Sequence, residues 1–111
     1  MHQWHALADA LLELEQELRA LSRWSAQAPS AAALSSQQPF CVDTLDFEMW
    51  LQWIFIPRML SIIENNGPMP AGCNILPMGE EAFAPLGRRG HGLRATLGRI
   101  DQLAVELAAQ D

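Results

Sequence analysis

The sequence predicts an all-α protein with one domain over residues 1–111, a bundle of about four main helices with a short extra one. Three observations lead there. Two long segments, one near each end, carry apolar residues at spacings of three and four. No run alternates with period two between turns at hairpin spacing. Half of the 111 residues are hydrophobic, which supplies one real core at a length that suits one domain.

Trp4, Leu7, Leu11, Leu14, Leu18 and Leu21 write the first helix as one apolar stripe, which Ala8 and Leu12 are expected to widen. Glu13, Glu15, Glu17 and Arg19 fill its solvated side. Pro29 cannot continue a helix, and "SAQAPSAAALSSQQP" reads as a connector with one helical turn around Ala31 to Leu34. Asp43 or Thr44 then caps the next helix, with Asp46 and Glu48 in its first turn, where the positive end of the dipole favours them. From Leu45 to Ile56 only Asp46, Glu48 and Gln52 are polar, so this helix is the central one, covered by its neighbours.

Pro57 interrupts it. A proline in a helix interior costs about 3 kcal/mol, through a lost donor and a crowded carbonyl. The polar face also moves across it, from Glu48 and Gln52 to Arg58, Ser61, Glu64 and Asn65. Both signals predict a kinked or broken central helix at Pro57. "NNGPMPAG" stops that helix, and Pro77 opens a short one at its first position, with Glu80 and Glu81 in the first turn. After "APLGRRGHG", the last helix follows Leu93, Leu97, Ile100, Ala104 and Leu107.

Charge and length exclude several functions. A net charge of -6 repels phosphate backbones and argues against direct nucleic-acid binding. The most apolar run, Met49 to Leu60, is too short to span a membrane and holds Gln52 and Arg58. The N-terminus has no signal-peptide pattern, so a cytoplasmic location is expected. Cys41 and Cys73 form no CxxC and read as reduced, partly buried thiols.

The candidate sites each have a plainer reading. His2 and His5 could share a helix face but lack a third ligand, so neither metal nor other cofactor is expected. Cys41, just before a helix start, lacks an assignable base and reads as a small buried hydrophobe. Glu80 and Glu81 point about 100° apart on a helix and suit a salt bridge to Arg58 better than acid–base catalysis. Trp50 and Trp53 share one side of the central helix, and packing against the first helix's leucines is expected. A candidate partner groove at the kink collects Phe40, Trp50, Trp53, Pro57, Arg58, Glu80 and Glu81. "GRRGHGLR" gives a candidate anion-binding patch of Arg88, Arg89 and Arg94, against the alternative of a mobile solvated linker.

The segments "QPFCVDTLDFEMWLQWIFIPRM" and "PMGEEAF" resemble the YqcC-like family of small all-helical bacterial proteins, and the likeness covers nearly the whole chain. Members are commonly encoded beside a tRNA pseudouridine synthase. The resemblance implies a helical protein that assists, adjoins or regulates such an enzyme. It does not imply the synthase chemistry, which uses a catalytic Asp in a larger, sheet-containing domain. Three functional readings follow. The first is a non-enzymatic cytoplasmic protein-interaction or accessory domain, whose partner is another protein or a second copy of the chain. The second is a small-ligand or enzymatic pocket at the Trp-rich kinked helix. The third is an RNA-binding accessory that uses the Arg88 to Arg94 patch.

Overall fold

Leu7, Ala10, Leu11, Leu14 and Leu18 recur on one face and are all buried, so the segment that carries them coils into α1 (His2–Ala20) and turns that face inward. The face is narrower than the sequence suggests. Leu12 points to solvent, and Ala10 takes the place beside Leu11. Pro29 does not end α1. The helix stops earlier, where Ser22 adopts a left-handed φ of 59° and the Arg23 amide reaches back to the Leu18 carbonyl at 2.8 Å. The computed structural model describes residues 2–65, 67–70 and 72–109, without the side chains of His2 and Pro39.

The partner of α1 is α6 (His91–Ala109), which buries Leu93, Thr96, Leu97, Ile100, Ala104 and Leu107 at matching helical spacing. Glu13 pairs with Arg99 and the Glu17 carboxylate abuts Gly92, so the two helices run antiparallel. Between them in sequence come α2 (Ala31–Leu34), capped by the Ser30 hydroxyl, and a 3-10 turn at Pro39–Cys41. No strand occurs among the described residues.

The central helix begins later than the capping residues suggest. Asp43 and Thr44 lie in a turn, and Asp46 holds the N-cap position of α3 (Phe47–Trp50) without a side-chain bond. A π-helical stretch, Leu51–Phe55, follows, and then α4 (Ile56–Glu64). At Pro57 the helical dihedrals continue through Phe55 and Ile56, and what interrupts the regular α-helix is this π-turn. The Ile56 amide bonds to the carbonyl of Leu51, five residues back, in place of four. That wider turn leaves room for the pyrrolidine ring, which an α-turn would press against the Trp53 carbonyl. The α-helical ladder restarts at Ile56, so Pro57 falls in a first turn, where no amide hydrogen is needed.

Gln52, expected on the solvated face, is buried. Its amide accepts from the Ser25 amide nitrogen at 2.8 Å and donates to the Ser25 carbonyl at 2.7 Å, pinning the chain after α1 to the central helix. The Arg23–Glu48 ion pair at 2.8 Å reinforces the same junction.

α5 (Leu76–Ala82) starts one residue before the expected position, with Pro77 second. Glu80 and Glu81 therefore fall in its second turn, exposed, and not at its N-terminus. Asp101 of α6 supplies the missing acceptor there, bonding the amides of Ile75 and Leu76 at 2.8 Å each. The segment after α5 is not a free linker. Ala84–Gly90 forms 3-10 turns joined at Gly87, whose φ of 56° and ψ of -131° suit glycine alone.

Candidate functional site

The π-helical turn decides which side chains share a face. In an α-helix, residues five apart point about 140° away from each other. Here the extra residue per turn aligns them, and the rings of Trp50 and Phe55 stack with centroids 5.4 Å apart. Phe40 meets Trp50 edge-on at 4.9 Å, and Phe47 closes the cluster at 5.7 Å from Trp50. Phe40 reaches this place through a left-handed φ of 57°, a conformation that costs a non-glycine residue about 1–2 kcal/mol. Bonds from Cys41 to Gln38 and from Leu45 to Cys41 hold the turn.

This aromatic wall borders a cleft of about 230 Å³. Met59 and Ile62 of α4 form its floor, and Met69, Cys73 and Ile75 of the chain before α5 form the opposite side. Arg58 and Asn74 stand at its rim, both exposed. A second hollow of about 520 Å³ near α2 is larger, but it is more open and lined by Ser30, Asp43, Thr44 and Asp46. The smaller cleft is the apolar one.

Phe40, Trp50 and Arg58 of the candidate groove line this cleft. Trp53, Pro57, Glu80 and Glu81 do not. Trp53 and Trp50 are both only half-buried, and the ring of Trp50 packs on Phe40, Phe47 and Phe55. The Trp53 indole nitrogen is buried with no hydrogen-bond partner among the described residues. The expected salt bridge from Glu80 or Glu81 to Arg58 does not form. The ion pairs among the described residues are Arg19–Glu15, Arg23–Glu48 and Arg99–Glu13. Met59, Ile62, Met69 and Cys73 are lining residues that the sequence reading missed. Phe55, Met59 and Ile62 recur at helical spacing and could have been found so, whereas Met69 and Cys73 come from an irregular segment with no periodic signal.

Cys73 is the chemically distinctive group of the cleft. Burial pushes its thiol pKa up to about 12, with help from the nearby Asp101 carboxylate, 3.5 Å from the sulfur. A thiol so held is a poor nucleophile. Cys41 is buried. Of the arginine patch, Arg88 and Arg89 are exposed, but the Arg94 guanidinium donates to the carbonyls of Phe83 and Gly87 at 3.3 and 2.9 Å. His5 is exposed, while the side chain of His2 lies outside the described residues. Among the described residues no group of three or more His, Cys, Asp or Glu could hold a metal, and no helix is long and apolar enough to cross a membrane.

Fold and cleft define a class: a small all-helical domain with an aromatic-walled cleft at a π-helical turn. Residues 6–103 match the DUF446 family, described as "tRNA pseudouridine synthase C", and the chain belongs to that family. It is 33% identical over 99 residues to the uncharacterized protein YqcC of Escherichia coli, covering 89% of this chain and 91% of that one. The solution NMR structure of that YqcC agrees with a TM-score of 0.83 at 31% identity, over 96% of this chain and 91% of the other. An uncharacterized protein of Haemophilus influenzae is 40% identical over 73 residues, 66% of this chain and 69% of its own. A protein of Pectobacterium carotovorum named tRNA pseudouridine synthase C is 33% identical over 70 residues, 63% of this chain but 19% of its own length.

Proposed function

We propose that the chain is a non-enzymatic, cytoplasmic accessory domain that docks on a tRNA pseudouridine synthase. One observation carries the reading. Its likeness to the Pectobacterium synthase occupies 19% of that protein, so a segment like this one is joined covalently to a much longer remainder. A covalent link holds two parts together at high effective concentration, and separate chains need an interface to do the same. A net charge of -6 favours contact with the enzyme over contact with its tRNA. The carbonyl bonds of Arg94 also weaken the case for an RNA-binding patch. At about 230 Å³ the cleft at the π-turn is smaller than the usual small-molecule pocket of about 300–1,000 Å³, which weighs against a ligand pocket at that place.

Sedimentation of the purified chain with the tRNA pseudouridine synthase C of the same organism tests the reading. A complex at micromolar concentration, unchanged by added tRNA, is the expected result. Independent sedimentation of the two proteins at tens of micromolar refutes it, and salt-sensitive retention of tRNA by the chain alone would favour the RNA-binding alternative.

A further inference from the structure

We infer that the cleft receives an apolar side chain flanked by a carboxylate, presented by a surface segment of the synthase; this assignment rests on the accessory-domain reading. The chemistry follows from the lining. The wall is rigid, because the rings of Phe40, Trp50 and Phe55 fix one another. The methionines of the lining, Met59 in the floor and Met69 opposite, have flexible thioether chains that adapt to an incoming shape. A rigid aromatic wall facing an adaptable one suits a single anchoring side chain, the usual centre of a protein interface. The volume fits such an anchor and is small for a cofactor.

Charge identifies the neighbour of that anchor. Arg58 is the one charged residue of the lining, it is exposed, and it enters no ion pair among the described residues. It lies on a protein of net charge -6, so the rim of the cleft is a local exception to the prevailing field. A planar guanidinium there matches a carboxylate through two parallel hydrogen bonds, a geometry that water or an alcohol does not reproduce. Two backbone features serve the same spot. The π-turn aligns Trp50 with Phe55, and the left-handed Phe40 closes the wall, so two departures from ordinary geometry converge on one cleft.

Two measurements test the inference. In the first, amide and indole NMR signals of the chain are followed during titration with 3-phenylpropionate and, separately, with 3-phenylpropanol. The carboxylate should shift signals of Phe40, Trp50 and residues 73–75, and should bind about tenfold more tightly than the alcohol. Arg58→Gln should abolish that difference and leave the melting temperature unchanged. Equal binding of the two compounds, no binding at millimolar concentration, or shifts elsewhere on the molecule would overturn the assignment. In the second, the chain and its Arg58→Glu variant are titrated calorimetrically against the synthase. Loss of affinity of about tenfold or more is expected for the variant. Equal affinity for both refutes the cleft as the docking site but leaves the accessory reading intact. No complex with the parent chain overturns both.

Discussion

Gly79→Ala should destabilise the protein, although alanine is the better helix former. Gly79 lies inside α5, buried against α6. A methyl built on it would lie 2.2 Å from Leu97 Cδ1 and 3.6 Å from Phe47 Cε2. Carbon atoms in ordinary contact are about 3.5–4.0 Å apart, so the overlap with Leu97 exceeds about 1 Å. Leu97 is fully buried, so moving its Cδ1 aside must displace packed neighbours. Overpacking of this kind costs about 1–3 kcal/mol, and the intrinsic helix preference of alanine returns about 1 kcal/mol. The overlap is severe enough to favour the upper part of that range, so the expected net loss is about 1–2 kcal/mol. Gly98→Ala is the internal control. Its methyl would meet Leu76 Cδ2 at 3.3 Å, a contact that a small shift relieves, so the helix preference of alanine should leave this variant as stable as the parent or up to about 1 kcal/mol more stable. Urea denaturation of both variants gives the comparison. In a Leu97→Ala background the clashing carbon is gone, and there Gly79→Ala should stabilise. A Gly79→Ala protein as stable as the parent would mean that α5 and α6 do not approach as described.

Three further outcomes are expected. Gln52→Ala removes both bonds to the Ser25 backbone and should cost about 1–3 kcal/mol, with faster hydrogen exchange at the Ser25 amide as the specific sign. Trp53→Phe removes a buried, unpartnered N–H and should leave stability unchanged or raise it by about 1 kcal/mol, whereas Trp50→Ala should cost about 3 kcal/mol; calorimetry distinguishes them, and the reverse order would misplace both rings. Cys73 carries a folded-state pKa raised from 9.0 to about 12, first by burial and then by Asp101. The folded protein thus holds this proton more tightly than the unfolded chain. Its contribution is full below the ordinary thiol pKa and is lost as pH rises towards the folded value. With no tyrosine, and with arginine supplying all seven basic residues, that window is nearly free of other titrating side chains. Stability should fall above pH 9 in the parent and fall less in Cys73→Ser, as read from urea midpoints; parallel curves would refute the linkage.

The parts of the fold legible in sequence are those that repeat. The stripes of α1 and α6 need only a period of three to four, and the helical turn over Ala31–Leu34 needs only its flanking serines and Pro29. The hidden parts depend on partners far along the chain. Gln52 resembles a surface residue until Ser25, 27 positions away, supplies both of its bonds. Glu80 and Glu81 would lie in the first turn of a helix that began at Pro77, yet Asp101 bonds the amides of Ile75 and Leu76 and moves the start back. The candidate site was half legible for the same reason. Phe40, Trp50 and Arg58 come from the one segment dense in aromatic residues, while Met69 and Cys73 enter only when the chain before α5 folds across α4.

Pro57 belongs to both the legible and the hidden parts of the fold. Its ring and missing donor announce that an α-helix cannot continue, but they do not say whether the chain kinks, stops or widens. A stop would leave amides and carbonyls unpaired beside the core, at a desolvation cost of about 1–3 kcal/mol for each buried group. Widening keeps the backbone bonded: Ile56 reaches Leu51, and the helical dihedrals persist through Phe55 and Ile56. One inserted residue also rotates everything after it by about 100° relative to an uninterrupted α-helix. The same insertion carries Phe55 beneath Trp50 and builds the wall of the cleft. Replacing Pro57 by alanine removes the reason for widening, and the helix gains an amide that can bond four residues back. If the turn then relaxes to α-geometry, Trp50 and Phe55 separate and the cleft loses its wall. The expected variant is at least as stable as the parent but has lost 3-phenylpropionate binding, with the Trp50 indole signal displaced. A Pro57→Ala protein that binds as well as the parent would show that packing around the aromatic cluster, and not the proline, holds the π-turn.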